Sequence, residues 1–292
     1  MPGETETLKL LRTLLGLYRP SAGEVRRLAE VAKLNKLLLA YLRGVGDVLR
    51  SELLREEARY RWFMGNAAEV VDALSKAGVE YALHKFRKPL DHVSVDLDIL
   101  VKVDDIPRAV KELVRRGFEV AVSEPYTVTL VRRGFIVDLY TNPSFAWVVY
   151  MDGGRLLKCC VEEVEVNRVR ANVLTREAEV VVAAAHAVYK EHLVLLSDCL
   201  VLWNWLNEEV WDLAIEYGVE EALKALLKTC SLVREGLIDT PHRFEPYVVF
   251  GVLTRKVLRD SLFRSTLPNI FKYLARSDSG LRILTRLTRR SY

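Results

Sequence analysis

Three aspartates carry the chemistry that this sequence could perform. Asp96 and Asp98 lie in Val95-Asp96-Leu97-Asp98-Ile99-Leu100-Val101, where apolar and polar residues alternate with period two. That is the pattern of a strand with one face on a core. Val95, Leu97, Ile99, Val101 and Val103 fall on the apolar face, and Ser94, Asp96, Asp98 and Lys102 on the other. Residues at i and i+2 point the same way, so the two carboxylates stand roughly 7 Å apart along the strand. Like charges that close oppose each other's ionisation, and a shared divalent cation relieves them. Asp138 is the third. In Phe135-Ile136-Val137-Asp138-Leu139-Tyr140, the residues Phe135, Val137 and Leu139 form an apolar face with Asp138 opposite. An Asp-x-Asp alone is a weak signal, because surface strands often carry acids toward solvent. If the two strands are neighbours, however, three carboxylates meet on one edge, the outline of a two-metal site for phosphoryl chemistry. A lysine or arginine plugging the gap, or Asp138 on the far side of the sheet, would remove that reading.

The elements that must position these acids follow from the periodicity on either side. Residues from about Glu4 to Ala77 read as helices, with Leu8, Leu10, Leu11, Leu14 and Leu15 at helical spacing and Ser21 as an N-cap. A long amphipathic segment runs from Val48 to Lys76 and ends at Gly78. Val79 to Leu83 is a short strand. His84-Lys85-Phe86-Arg87-Lys88-Pro89-Leu90-Asp91-His92 is a polar, basic connection into the acidic strand. A helix starts near Asp104-Asp105-Ile106-Pro107 and closes at Gly117. Phe118 to Val122, Thr127 to Arg132 and Phe135 to Tyr140 are strands, the last two joined at Arg133-Gly134. Val164 to Leu174 reads as a hairpin turning near Asn167, and everything from Thr175 onward as helical. The expected class is α+β, a small mixed-sheet core flanked by helical regions. The expected divisions are 1–77 helical, 78–174 core, and 175–292 helical with a basic tail.

Composition bounds the setting. The 292 residues hold a net charge of only +4, too little by itself to demonstrate an anionic partner. No run of about twenty apolar residues exists, so no membrane span is expected. The N-terminus lacks a signal peptide's basic and apolar regions, which points to the cytoplasm. Cys159 and Cys160 are adjacent, Cys199 and Cys230 stand alone, and no C-x-x-C occurs. All four read as reduced packing residues. Glutamine is absent and arginine, glutamate, valine and leucine are abundant, a bias that suits a thermophile. From Arg255 the chain carries Lys256, Arg259, Arg264, Lys272, Arg276, Arg282, Arg286, Arg289 and Arg290 against Asp260 and Asp278. Such a stripe suits either RNA or a solvated helical face.

The order strand, basic loop, Asp96-Leu97-Asp98, helix, Gly117-Phe118, strands and Val137-Asp138-Leu139 resembles the DNA polymerase β-type nucleotidyltransferase superfamily. It looks closest to the uncharacterised archaeal and bacterial nucleotidyltransferase proteins. Ala185-His186-Ala187-Val188-Tyr189-Lys190 followed by Ser197-Asp198 resembles their H-x-x-x-K … D helical element. The resemblance implies transfer of a nucleoside monophosphate from an NTP to an acceptor hydroxyl, an RNA or tRNA end among the candidates, with release of pyrophosphate. It implies Mg²⁺ or Mn²⁺ held by Asp96, Asp98 and Asp138, with Lys85 and Lys88 offsetting triphosphate charge and His84, His186 and Lys190 near the nucleotide. One departure matters. Active members carry Gly-Ser at the end of the first strand, where backbone amides hold the triphosphate; this chain has His84-Lys85 there. An inactive relative that binds nucleotide or nucleic acid on the same fold is the alternative.

Overall fold

The computed structural model describes residues 4–275 of the chain. It opens with helices α1 (Glu6–Leu14), α2 (Ala22–Leu34), α3 (Leu38–Val45) and the 27-residue α4 (Arg50–Lys76). Ser21 starts α2 as expected: the Glu24 carboxylate accepts from both the Ser21 amide and its hydroxyl. Strands β1 (Tyr81–Leu83) and β2 (Asp96–Val101) follow, then α5 (Ile106–Arg115) and strands β3 (Glu119–Glu124), β4 (Thr127–Arg132) and β5 (Phe135–Tyr140). A short hairpin of β6 (Ser144–Phe145) and β7 (Val148–Val149) leads to α6 (Gly153–Cys159) and the hairpin β8 (Val161–Val166) and β9 (Val169–Leu174). Helix α7 (Arg176–His186) continues into a π turn over Ala187–Glu191 and a small strand β10 (Leu193–Val194). Helices α8 (Leu196–Trp205), α9 (Glu208–Glu216) and α10 (Glu220–Arg234) come next. Strand β11 (His242–Arg243) pairs with β10, and α11 (Pro246–Arg259), α12 (Ser261–Thr266) and α13 (Asn269–Leu274) end the described residues.

Seven strands form one mixed sheet in the order β3-β4-β5-β2-β1-β9-β8. β2 runs parallel to β5 and β1 parallel to β9, while the remaining pairs are antiparallel. The β4–β5 turn puts Arg133 and Gly134 at φ 49° and 82°, the left-handed geometry that a tight two-residue hairpin requires. On one face, Leu97, Ile99, Val101, Phe135, Val137 and Leu139 pack with Phe63, Val70, Val71 and Leu74 of α4 and Leu113 of α5. On the other, Leu100 and Tyr140 join a larger core with α1–α3, α6, α7 and the later helices. The N-terminal helices α1–α3 thus share their core with the C-terminal ones, whereas α4 backs the sheet.

Two expectations are corrected here. Val95 and Val103, expected on the apolar face, lie beyond the ends of β2 and are open, whereas Leu100 is fully buried and Asp98 only 7% exposed. Helices cover both faces of the strand, α4 and α5 on one and α6 on the other, so Asp98 does not stand on an open surface strand. The cysteines are not reduced: Cys159 is bonded to Cys160, and Cys199 to Cys230. Cys199 on α8 and Cys230 on α10 are both fully buried, with Cα atoms 5.3 Å apart. That lies inside bridging range, but it depends on helix packing that a separation of 31 residues does not disclose.

Gly153 decides how α6 meets the sheet. A Cβ at that position would lie 2.1 Å from the Thr141 carbonyl oxygen and 2.7 Å from Leu100 Cδ1. Only glycine permits so close an approach. The contact seats α6 behind the same face of β2 that carries the acids.

Candidate active site

The parallel pairing of β2 with β5 sets Asp98 directly opposite Asp138, and Asp96 opposite Ile136. All three side chains leave the sheet on one face, and each offers a carboxylate oxygen within 4.8 Å of the others'. At an effective dielectric near 20, two unit charges at that separation repel by about 3.5 kcal/mol. The cluster therefore requires a cation or a proton. Asp138 shows the strain: burial first, then the charges of Asp98 and Asp96, hold its carboxyl above the usual range, against the opposing effects of Thr129 and Lys190. Thr129 sits across from it on β4 and donates its hydroxyl to Oδ1 at 2.5 Å.

Lys85 supplies one cation, with Nζ 2.8 Å from Asp98 Oδ2. Burial works against its charge, but attraction by Asp98 and Asp96 wins and raises its pKa above the ordinary lysine value. So a lysine does enter the acidic edge, on one oxygen of one carboxylate. Asp98 Oδ1 is buried without a hydrogen-bond partner, and the three carboxylates still converge. An all-carboxylate donor set with an orphaned oxygen fits a hard divalent cation such as Mg²⁺ or Mn²⁺.

The placement of Lys85 comes from a residue the sequence reading missed. The His84 amide still bonds the Asp98 carbonyl, continuing β1, and Lys85 then turns at φ 57°. Glu179 of α7, 1% exposed, accepts from the amides of Lys85 (2.9 Å), Phe86 (3.2 Å) and Arg87 (3.4 Å). Consecutive amides curled this way form an anion-binding nest, here filled by the protein's own carboxylate. Burial pushes the Glu179 carboxyl up to about 7, although Lys88 and the three amides pull the other way. The available signal was a lone Glu179 facing the apolar run Val180-Val181-Val182-Ala183-Ala184-Ala185.

The other expected residues separate. His84 is buried edge-on to Tyr140 at 5.2 Å, with neither ring nitrogen hydrogen-bonded. Burial, then Lys85 and Lys190, push its pKa well below the histidine range, and the same causes act on His186. Both rings are therefore neutral at pH 7. Lys190, on the π turn, and Lys85 stand 5.7 and 5.6 Å from the Tyr140 ring, and the charge of Lys190 acts on Asp138. His186 lies 3.5 Å from Glu191. Lys88 lines a cavity that none of the three aspartates borders. Within the basic stripe, Arg255 and Arg259 pair with Glu221 and Glu220. Lys256 is buried on Asp260 and the Tyr217 carbonyl, and Arg264 donates to the Val257 and Leu258 carbonyls. Arg276, Arg282, Arg286, Arg289 and Arg290 lie outside the described residues.

A strand pair that gathers three carboxylates against a helical layer is the arrangement that the superfamily resemblance implied. Residues 92–234 match the model of a family described as an uncharacterised nucleotidyltransferase, in agreement with the superfamily resemblance carried by Asp96-Leu97-Asp98. The matched stretch contains Asp96, Asp98, Asp138, Glu179, His186 and Lys190 and starts after His84 and Lys85. No curated protein matches the chain. Among the described residues, no helix is long and apolar enough to cross a membrane.

Proposed function

We propose that the chain transfers a nucleoside monophosphate from an NTP to an acceptor hydroxyl at the Asp96–Asp98–Asp138 edge, with release of pyrophosphate. The observation that carries this reading is the register of β2 on β5, which brings the three carboxylate oxygens within 4.8 Å. Asp96, Asp98 and Asp138 would hold Mg²⁺ or Mn²⁺, which when bound neutralises phosphate charge and acidifies the acceptor hydroxyl. Thr129 keeps Asp138 oriented and favours its ionised form. Lys85, tethered to Asp98 through a turn that Glu179 anchors, is placed to move its ammonium onto the triphosphate, and Lys190 adds a second positive charge beside Asp138. Tyr140 and neutral His84, both buried, wall the site. An RNA end is the acceptor class favoured by the arginine-rich sequence from Arg255 onward.

Incubation with Mg²⁺ or Mn²⁺, each labelled NTP and total RNA tests the reading. Labelled product is expected, and Asp98→Ala should reduce it by more than about 100-fold, beyond what outer-shell metal partners are worth. Absence of product from every NTP would instead support a nucleotide- or nucleic-acid-binding module on the same fold. Two specific observations favour that second reading: Lys85 on Asp98, and Glu179 filling the amide nest where active relatives offer Gly-Ser.

A further inference from the structure

The loop that carries Lys85 toward the acids presents its other residues to a separate cavity of about 540 Å³, within the size range of small-ligand sites. Its apolar parts come from Tyr60, Phe63 and Met64 of α4, Phe86 of the loop and Trp205 at the end of α8. Arg87, Lys88, Asp91, His92 and Arg176 add polar groups. Most of these charges are already answered. Arg87 pairs with Glu162. Asp91 is held by Arg43 at 2.5 Å and by the Tyr60 hydroxyl at 3.1 Å. Burial, with Lys88 and Lys36 nearby, keeps His92 neutral by lowering its pKa to about 3. Lys88 and Arg176 remain, and neither makes an ion pair among the described residues. The charge of Lys88 does reach Glu179, whose oxygens are committed to three amides. The Arg87 and Arg176 guanidiniums lie 5.9 and 6.0 Å from the centroid of the Trp205 ring.

We propose that this cavity binds a nucleoside monophosphate. Two cations without an ion-pair partner match the charge of nearly −2 on a phosphate monoester at pH 7, and the half-buried Lys88 gains more from such a partner than the exposed Arg176 does. Arg43 lies 5.4 Å from the Tyr60 centroid, and with Arg87 and Arg176 over Trp205 these guanidinium planes and rings give a base of any identity a stacking surface. The site stands apart from the transfer reading, because neither Lys85 nor any of the three aspartates lines it.

Titration of AMP, GMP, CMP and UMP into the full chain by calorimetry in EDTA tests it, with the free nucleosides and inorganic phosphate as separate arms. At least one nucleotide should bind about tenfold or more tightly than its nucleoside or phosphate alone. Lys88→Ala and Arg176→Ala should each weaken that binding by about tenfold or more, the usual worth of a charge-assisted hydrogen bond. Lys88→Arg should restore most of it, and Asp96→Asn should leave it unchanged. Matching melting curves for the variants separate binding loss from unfolding. The proposal is overturned by any of three results: no nucleotide binding up to millimolar concentration, affinity unchanged in both alanine variants, or an equal loss in Asp96→Asn. Phosphate binding as tightly as the nucleotide overturns it as well. Failure of the transfer assay with these results intact would sink the transferase reading alone.

Discussion

Lys85→Met distinguishes a lysine that permanently closes the acidic edge from one that holds the place of a metal. The substitution keeps most of the side chain's volume and removes its charge. Removing one partner of a buried pair costs roughly 3–5 kcal/mol. With Lys85 19% exposed, the lower end applies, so a loss of about 3 kcal/mol is expected in EDTA. For a chain of this size each kcal/mol moves Tm by roughly 2 °C, giving a fall of about 6 °C. The vacated edge should then take a divalent cation more readily than the native protein, in which the ammonium competes for Asp98. At 1 mM Mn²⁺, a hundredfold above an assumed dissociation constant, binding would return about 2.7 kcal/mol and nearly restore the native Tm. Differential scanning calorimetry with and without Mn²⁺ reads both effects. Adding Asp98→Asn to Lys85→Met should abolish the metal response, which rules out Mn²⁺ bound elsewhere. The reasoning fails if Lys85→Met melts with the native protein in EDTA, or if Mn²⁺ shifts the two proteins equally.

Three further outcomes follow from named contacts. Thr129→Val removes the hydroxyl bonded to Asp138 and should cost about 1.5–3 kcal/mol near neutral pH. Because that bond lowers the pKa of Asp138, losing it should move the pH of half-maximal Mn²⁺ binding upward, as read by titration calorimetry across pH. Glu179 has a carboxyl raised from 4.5 to about 7 by burial, so the folded state holds a proton that the unfolded state has released. Its contribution is therefore fully present below about pH 4.5 and is lost as pH rises through 7, by up to roughly 3 kcal/mol. Urea unfolding of the native protein should show that decline, and Glu179→Gln should lack it; parallel pH profiles would refute the assignment. Gly153→Ala forces a Cβ onto the Thr141 carbonyl and should cost about 1–3 kcal/mol. An unchanged urea midpoint would show that α6 is not seated as described.

Much of this site was legible because strands have period two. The alternation around Asp96 and around Asp138 already put all three acids on one face of their strands, and Arg133-Gly134, Asn167 and Ser21 announced their turns and cap through local backbone chemistry. What stayed hidden depended on neighbours remote in sequence. The β2–β5 pairing makes Asp98 and Asp138 partners across an intervening helix and two strands, which periodicity cannot reveal. Helices packed on both faces of β2 leave Asp98 buried, so an alternation that suits a surface strand comes here from an acid held inside the fold. Cys199 and Cys230 meet only because α8 packs on α10. Glu179 was hidden most completely, since nothing local distinguishes a glutamate that faces solvent from one that fills a nest 93 residues away in the chain. Its position nevertheless gives the His84-Lys85 departure a physical meaning. A Gly-Ser turn leaves backbone amides free to meet a phosphate, and here the amides of Lys85, Phe86 and Arg87 face a buried carboxylate instead. Any phosphate recognition at the acidic edge must therefore come from side-chain charge, from Lys85 and Lys190. Lys85 serves that role only while a divalent cation relieves it of Asp98, so nucleotide and metal should bind with positive coupling at this edge.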